Sequence, residues 1–321
     1  MATFTGRKTG KAFSRLAMAA IAAALVGVSA GAASADSVYP GHTPAAPKQA
    51  PKVRSFAATA PATAPAPAPA PAPGNAANPI FALFAVDNAN KGWVYGPDGT
   101  GGLGARLAAG SFPYLANDAF VDNNADGDID GEWQWNGAGD LRYFSETDTG
   151  SGKAIGGGWN IYDKVLSPGN LAGGQAYDLI ARDKAGVLWL YLGYGNGTMT
   201  SRIKVGAGWD AYTQLAGKGD LDGDGKADIV ARDKAGVLWF YKGTGNYNAP
   251  FAPRTKIGGD WNAYNTLVST GDVDVDGRTD LIARDTNGGL WLYKGTGNAA
   301  APYQARVQIG YGYNIYRLMT S

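Results

Sequence analysis

The feature that most constrains this fold is a sequence repeat that runs through the chain after residue 78. Three segments align almost without gaps, and their starts lie 50 and 52 residues apart: 169–196, 219–246 and 271–298. Each is followed by a short phrase in which an aromatic residue precedes a tyrosine by three positions. A weaker copy occupies residues 122–166, and a half-copy begins at residue 80. Because register, spacing and several motifs recur together, the chain repeats one structural unit.

Each unit contains four short segments with the two-residue period of β-strands. In one unit these are residues 228–233, 237–243, 255–258 and 264–270, and Gly, Asn and Asp separate them. Four strands in about 50 residues form one blade of a β-propeller, whereas a solenoid would have shorter repeats and visible caps. The composition agrees, since 48 glycines supply turns and 9 Trp, 17 Tyr and 10 Phe pack on pleated surfaces.

The two ends of the repeat complete each other. The N-terminal half-copy begins with a second strand, residues 82–86, while residues 315–321 have the pattern of a first strand without partners. Joining them closes a ring and removes two sheet edges. The sequence therefore predicts an all-β fold, a five-bladed β-propeller of four-stranded blades whose C-terminal strand joins the N-terminal blade. The predicted units are approximately 79–118, 119–166, 167–215, 216–267 and 268–321, which together form one domain, 79–321.

The residues before the repeat have the composition of a targeting signal and a spacer. Residues 1–15 carry four basic residues and no acid, an apolar run follows, and Ala33, Ser34 and Ala35 fit a cleavage site. We expect residues 1–35 to be a signal peptide rather than an uncleaved membrane anchor, and the protein to be secreted, extracellular or associated with the cell wall. Residues 36–78 hold 10 of the 17 prolines, which favours a disordered, extended linker. No membrane span is expected after removal of the signal.

The scarce residue types exclude several kinds of active site. The chain has no cysteine, which excludes disulfides, thiolate metal sites and cysteine nucleophiles. Its one histidine, His42, lies in the Pro/Ala-rich segment, which argues against a Ser-His-Asp triad and histidine-ligated zinc. Residues 36–321 carry 24 Lys and Arg against 27 Asp and Glu, and this net charge of −3 predicts no nucleic-acid partner.

Aspartates cluster in the turn between the first and second strands of several units. The pattern Asp-x-Asp-x-Asp-Gly-x-x-Asp occurs in residues 220–228 and 272–280, and residues 122–130 repeat it with Asn124 at the third position. We name these segments loop 220, loop 272 and loop 122. The corresponding loop 170, residues 170–178, has lost the acids at its third and fifth positions and is not expected to bind a cation.

This spacing has a simple electrostatic consequence. Alternate carboxylates on a tight loop direct their oxygens at a common centre, and they repel one another unless a cation lies among them. Hard oxygen ligands, with no His or Cys available, favour calcium. An EF-hand is the competing interpretation, but it needs an acid at the twelfth position, where the chain has Ala231, Ala283 and Trp133. We predict Ca²⁺ in loops 220 and 272, with loop 122 as a third candidate.

At this level of detail the repeat resembles the FG-GAP/VCBS type of integrin α-subunit propellers and of many secreted bacterial proteins. The phrase Ala-Arg-Asp-x-x-Gly-x-Leu-Trp-x-Tyr resembles the secreted actinobacterial versions, and the resemblance covers residues 80–321. It implies calcium ligands at positions one, three, five and nine and at the carbonyl of position seven. The implied ligands are Asp220, Asp222, Asp224, Lys226 (carbonyl) and Asp228; Asp272, Asp274, Asp276, Arg278 (carbonyl) and Asp280; and Asp122, Asn124, Asp126, Asp128 (carbonyl) and Asp130. Five units replace the seven of integrins, and the family does not specify a ligand.

Two sets of tryptophans recur in the repeat. The first set is Trp159, Trp209 and Trp261, followed by Asn160, Asp210 and Asn262. These indoles are either packing corners that seat each crossover against the next blade, or sugar-stacking platforms with the Asn and Asp side chains as hydrogen-bonding groups; both interpretations predict the repetition. The second set, Trp189, Trp239 and Trp291, lies in the Leu-Trp-x-Tyr phrase and is expected to pack between neighbouring sheets.

The leading functional hypothesis is a secreted, calcium-binding propeller, expected to be a monomer, that acts as a non-catalytic binding module for an extracellular polysaccharide or a cell-surface protein. The first alternative is a glycan-active hydrolase or lyase that uses a pair of acids roughly 5–9.5 Å apart. Its candidates are the acids that the other units do not share: Asp148, Asp163, Glu132 and Glu146. The second alternative is a structural or adhesion protein of the cell wall, with the linker as its stalk.

Overall fold

The computed structural model describes residues 78–148 and 150–321. Within these residues, twenty strands form five four-stranded antiparallel sheets arranged in a ring, and the helical elements are short 3-10 turns. The predicted five-bladed, all-β propeller is therefore confirmed. The expected signal peptide, residues 1–35, and nearly all of the linker, residues 36–78, lie outside the described residues.

Each blade begins with the strand nearest the axis of the ring, since the first strands of neighbouring blades contact one another. From the axis outwards, blade 1 consists of β20 (Tyr316–Thr320), β1 (Leu83–Asp87), β2 (Lys91–Tyr95) and β3 (Leu107–Ser111), and blade 2 of β4 (Leu115–Val121), β5 (Gly131–Asn136), β6 (Leu141–Ser145) and β7 (Lys153–Gly156). Blade 3 consists of β8 (Tyr162–Gly169), β9 (Asp178–Asp183), β10 (Leu188–Tyr191) and β11 (Ile203–Gly206), and blade 4 of β12 (Tyr212–Ala216), β13 (Ile229–Asp233), β14 (Leu238–Tyr241) and β15 (Thr255–Gly258). Blade 5 consists of β16 (Tyr264–Gly271), β17 (Asp280–Asp285), β18 (Leu290–Tyr293) and β19 (Val307–Gly310). The 3-10 turns precede the first strands and span Trp159–Ile161, Trp209–Ala211, Trp261–Ala263 and Tyr313–Ile315.

The C-terminal strand closes the ring as the sequence predicts. Strand β20 pairs with β1 in antiparallel register, with Thr320 opposite Phe84 and Met319 opposite Ala85. It also reaches blade 2, because the Thr320 hydroxyl donates to the Asp118 carbonyl at 2.7 Å. The last strand of the chain therefore joins the first two blades.

The apolar core lies between blades rather than within them. One cluster combines Leu188 and Leu190 of blade 3 with Ile229 and Ala231 of blade 4, and all four side chains are almost completely buried. Another combines residues of blade 5 with Leu83 of blade 1. Because a sheet buries its faces only against its neighbours, no blade has a core of its own, and the ring folds as a unit.

An arginine of the second strand bridges each of several blade junctions. Arg232 of blade 4 donates to the carbonyls of Trp261 and Tyr264, which form the corner that enters blade 5. The same bridges connect Arg182 to Trp209 and Tyr212, and Arg284 to Tyr313 and Tyr316. These are the arginines of the Ala-Arg-Asp phrase, so the phrase specifies the contact between consecutive blades.

Two junctions use a different residue for the same purpose. In blade 2 the equivalent position holds Trp135, whose ring lies 6.4 Å from that of Trp159. In blade 1 it holds Val86, and Arg317 of the closing strand instead donates to the carbonyls of Phe112 and Leu115. The ring-closing strand therefore supplies the arginine that blade 1 lacks.

We predict that Arg232→Ala lowers the free energy of unfolding by about 2–3 kcal/mol, because two buried carbonyls lose a charged donor. The matched control is Arg254→Ala, since Arg254 of the same blade is exposed and lies over the Trp239 ring at 4.0 Å. That change should cost less than about 1 kcal/mol. Urea denaturation of both variants measures the difference, and equal losses would contradict the bridging role of Arg232.

Candidate functional site

The aspartate loops lie together on one face of the ring. Each connects the first and second strands of its blade, and strand direction alternates within a sheet, so these turns emerge at the same end. Loops 122, 220 and 272 belong to blades 2, 4 and 5, and loop 170 to blade 3. The Trp corners and the turns between second and third strands emerge on the opposite face.

Two of the loops bring three carboxylates to a common point. In loop 220, carboxylate oxygens of Asp220, Asp222 and Asp224 lie within 4.8 Å of one another. In loop 272, carboxylate oxygens of Asp272, Asp274 and Asp276 lie equally close together. Among the described residues, loop 122 does not form such a group. The convergence that the sequence predicts for alternate carboxylates is therefore present in loops 220 and 272.

Backbone donors organise the first carboxylate of each loop. Asp220 accepts hydrogen bonds from the N–H groups of Gly223 and Gly225, both at 2.7 Å. Gly225 has φ 85°, a left-handed conformation that glycine adopts without steric cost. Asp272 accepts from the N–H of Gly277 at 2.7 Å, and Asp122 from that of Gly127 at 2.8 Å. The same turn geometry thus holds the first carboxylate against backbone N–H groups in each of the three acidic loops.

Lysines neutralise the third carboxylate in two loops. The Lys242 ammonium lies 2.5 Å from Asp222, whose side chain is 3% exposed, and 2.9 Å from Asp224. Lys294 lies 2.8 Å from Oδ2 of Asp274. The other oxygen of Asp274, Oδ1, is buried without a hydrogen-bond partner among the described residues. Each third carboxylate is therefore paired with an ammonium group, and in Asp274 one oxygen remains without a partner.

The fifth and seventh positions lie against each other. The backbone N–H of the seventh residue donates to the fifth carboxylate in each acidic loop: Lys226 to Asp224 at 3.0 Å, Arg278 to Asp276 at 3.0 Å and Asp128 to Asp126 at 2.9 Å. The Lys226 ammonium and the Arg278 guanidinium also pair with those carboxylates. The seventh residue therefore borders the acidic cluster through its backbone N–H, and the role of its carbonyl as a ligand stays a prediction.

The ninth aspartate has a structural task in addition to any role as a ligand. Asp228 is buried and accepts from the N–H groups of Leu221 and Gly243, which fastens loop 220 to the turn after β14. Asp280 makes the same contacts in loop 272. Asp178 makes them in loop 170, where positions three and five carry no acid. The ninth position therefore holds the loop in shape whether or not the acidic cluster is present.

In loop 122, polar side chains accept hydrogen bonds from the backbone N–H groups of the loop itself. Asp130 accepts from the N–H groups of Asn123 and Asn124, and the Asn124 side-chain oxygen accepts from the N–H of Asp126. Burial raises the pKa of Asp122 to about 6. This loop has the turn of the other two without their converging carboxylates.

The Trp corners are packed. Trp159, Trp209 and Trp261 are 6–7% exposed, and their rings lie 4.6–4.9 Å from a tyrosine of the third strand. Gly158 and Gly208 precede the first two with φ 87°, which explains the Gly-Trp phrase. Of the two interpretations open at the sequence level, these contacts are those of a packing corner. The following residues, Asn160, Asp210 and Asn262, are exposed on the face opposite the aspartate loops.

A column of stacked side chains was not anticipated from the sequence. The second set of tryptophans is half-buried, and each indole is covered by an arginine of the fourth-strand segment, with Arg254 4.0 Å from the Trp239 ring. The indole N–H donates to the aspartate that ends the second strand, as Trp239 does to Asp233 at 2.8 Å. The same column recurs as Trp93–Arg106, Trp189–Arg202 and Trp291–Arg306. The sequence signal was an arginine that comes directly before the fourth strand in blades 1, 3, 4 and 5.

The acids that other units do not share have different surroundings. Asp163 forms an ion pair with Arg182 at 2.6 Å, and Asp148 accepts from the N–H of Ser145. The backbone N–H of Glu146 donates to the Asp130 carbonyl at 2.9 Å. These contacts hold the loop and strand ends of blades 2 and 3.

Glu132 lies beside a second unshared acid, Asp118. Burial and electrostatic repulsion by Glu132 raise the pKa of Asp118, and burial raises the pKa of Glu132 to about 7. Asp118 is 1% exposed and takes a position held by leucine in blades 4 and 5. Both carboxylate oxygens of Asp118 are buried without a hydrogen-bond partner among the described residues. A glycosidase pair needs its substrate between the two acids, and the enclosed carboxyl group of Asp118 is not accessible to a sugar ring.

Sequence comparison identifies the repeat. The family model described as "FG-GAP-like repeat" matches residues 176–231 and 220–283, which include loop 220 and loop 272. The chain contains FG-GAP-like repeats. The matched residues, 176–283, cover parts of blades 3, 4 and 5 of the propeller. No curated protein matches the chain.

Solved structures with a related shape are distant from this FG-GAP-like propeller. BBS1N in complex with ARL6DN is 13% identical with a TM-score of 0.37, over 72% of this chain and 66% of that chain, so this chain spans slightly less than two thirds of it. A protein of unknown function from Bacteroides caccae is 9% identical with a TM-score of 0.36, over 70% and 72% of the two chains. The computationally designed Ika8 protein is 11% identical with a TM-score of 0.34, over 70% and 60%. Similarities this weak assign no function or ligand.

Across residues 78–148 and 150–321, the helical turns are too short and too polar to cross a membrane.

Loop 170 offers a pH test that does not depend on metal. Burial raises the pKa of Asp178 to about 7, against about 3.9 in an unfolded chain. The folded protein therefore retains a proton that the unfolded chain has released, and the free energy of unfolding should fall as the pH rises from about 4 to 7. Asp178→Asn should flatten this dependence in urea titrations with chelator at pH 5, 6 and 7. Parallel slopes for the two proteins would contradict the assignment.

Proposed function

We propose that this FG-GAP-like propeller is a secreted, calcium-stabilised module that binds an extracellular glycan or protein. The observation that carries the proposal is the convergence of three carboxylates in each of loops 220 and 272, on one face of a closed ring. Because a closed ring holds equivalent surface residues of its blades at fixed separations, it suits recognition of an extended ligand through several weak contacts.

Calcium fits the donor set of these loops. The converging atoms are carboxylate oxygens, which are the ligands that Ca²⁺ prefers, and the glycine-containing turn directs them inward. The unpartnered, buried Oδ1 of Asp274 is an acceptor that a cation would satisfy. We propose that positions one, three and five hold the ion, assisted by the carbonyl at position seven and by the ninth aspartate. The ion would add rigidity by neutralising the repulsion among the carboxylates.

The opposite face is the proposed ligand-binding face. Asn160, Asp210 and Asn262 are exposed there at equivalent places in three blades, beside corners whose indoles are buried. Their amide and carboxylate groups are able to hydrogen-bond to hydroxyl groups of a polysaccharide or to a protein backbone. In this proposal the buried indoles position the ligand-binding side chains rather than stack on the ligand.

The proposed location is outside the cell. It is supported by the signal-like residues 1–35 and by the Pro/Ala-rich residues 36–78, whose extended conformation would hold the propeller away from a surface. A structural or adhesive role at the cell wall is the variant of this proposal in which the ligand is a wall polymer. We expect a monomer.

Calcium titration tests the metal sites. We expect isothermal calorimetry to detect binding to loops 220 and 272 and Ca²⁺ to raise the melting temperature. Asp224→Asn and Asp276→Asn should each weaken binding at the altered loop at least tenfold, because each removes one converging carboxylate. Asp210→Asn, on the opposite face, is the control and should leave calcium affinity unchanged. Absence of heat and of any thermal shift would contradict the calcium proposal.

Retention on insoluble polysaccharides and cell-wall material tests the ligand. We expect the wild-type protein to be retained on one polymer. The triple variant Asn160→Ala, Asp210→Ala, Asn262→Ala should no longer be retained on that polymer, and its melting temperature should be unchanged. Tryptophan variants are unsuitable, because removing a buried indole costs about 3–5 kcal/mol and unfolding would mimic loss of binding. Full retention of the triple variant would place the binding surface elsewhere on the ring.

A further inference from the structure

The lysines that contact loops 220 and 272 come from an equivalent position in each blade. Lys242 follows β14 and Lys294 follows β18, each four residues after the leucine that opens the strand. Each places its ammonium on the third carboxylate of the loop, at 2.5 Å for Lys242 and 2.8 Å for Lys294. The contact therefore joins two different turns of the same blade.

The other two loops provide an internal comparison. By strand register the position of Lys242 corresponds to Ser145 in blade 2 and to Leu192 in blade 3. The third position of the loop is Asn124 in blade 2 and Ala172 in blade 3. Across these four loops, all within the described residues, the lysine is present where the third residue is aspartate and absent where it is not. The lysine and the third carboxylate thus occur as a pair.

The geometry allows this pair to open. The third carboxylates are enclosed, with 3% of the Asp222 side chain and 9% of the Asp274 side chain exposed. The lysines are much more accessible, with 38% of the Lys242 side chain and 30% of the Lys294 side chain exposed. A lysine has four flexible methylenes, so its ammonium is able to turn into solvent while the carboxylate remains in place.

We infer that Lys242 and Lys294 are built-in competitors of the cation, each occupying the third carboxylate when calcium is absent and leaving it when calcium binds. This inference rests on the calcium sites of the proposed function. A doubly charged ion among the three carboxylates repels an ammonium group on the same oxygen, so the two cations compete. The lysines thereby weaken calcium binding, and they neutralise the loops when calcium is absent.

This arrangement makes calcium an exchangeable ligand of the propeller. With its lysine in place, each loop has a counter-charge and keeps its shape without the ion. Removal of the lysine should therefore have opposite effects in the two states: the calcium-free protein becomes less stable, while its affinity for calcium increases. A lysine with a purely structural role would lower stability without raising affinity.

The test is calcium calorimetry and thermal unfolding of the full chain with Lys242→Met, Lys294→Met and the double variant. We expect each single change to raise affinity at least tenfold at its own loop and to lower the melting temperature in chelator. Lys242→Arg keeps the charge and should resemble the wild type. Lys234→Met, which removes an exposed lysine from the turn between β13 and β14, is the control and should change neither quantity.

The outcomes separate this inference from the calcium proposal. Equal affinities of the wild type and the methionine variants would overturn the competitor role while the calcium sites stand. Binding by the methionine variants but not by the wild type would support the competitor role. No binding by any of these proteins would overturn both. If the double variant does not fold in chelator, each single variant gives the same comparison for its own loop.

Discussion

The contact on which this propeller depends is the arginine bridge from one blade to the corner of the next. Arg232 is 7% exposed and donates to the carbonyls of Trp261 and Tyr264, and the Trp261 carbonyl also accepts from the N–H of Tyr264. The same corner seats the indole against the tyrosine of the third strand, Tyr293. One guanidinium therefore connects two consecutive blades, and the same contact recurs where blades 3, 4 and 5 meet the next corner.

In the aspartate loops, different residues determine the shape of the turn and its negative charge. The ninth aspartate fastens its loop to a neighbouring turn even in loop 170, where Asp178 makes the contacts that Asp228 makes in loop 220. The acids at positions three and five are additions to a turn that is already held. Because the turn does not need them for its shape, individual blades are able to gain or lose them, together with the lysine that balances their charge.

Blade 2 departs most from the repeat, and its departures occur together. It has Trp135 where blades 3, 4 and 5 have the bridging arginine, and Arg142 where the other four blades have the stacked tryptophan. Its core contains the Asp118–Glu132 pair, and the Lys218 ammonium of blade 4 donates to the Phe120 carbonyl at 2.9 Å nearby. These polar groups lie near the axis, where the first strands of all blades meet, so blade 2 gives the ring an asymmetric centre.

The sequence by itself determined the fold and the positions of the loops, because both depend on short-range patterns that recur with the repeat: alternation along strands, turn glycines, and aspartates at fixed spacing. It also identified the closing strand from the missing first strand of blade 1. Only the tertiary structure decided the surroundings of individual side chains. It placed Lys242 on Asp222, buried Trp209 in the corner, stacked Arg254 on Trp239 and buried Asp118 in the core of the ring. These contacts connect residues from different strands and blades. The sequence does not specify them, because the two-residue period of a strand shows which side chains share a face of the sheet but not which side chains lie opposite that face.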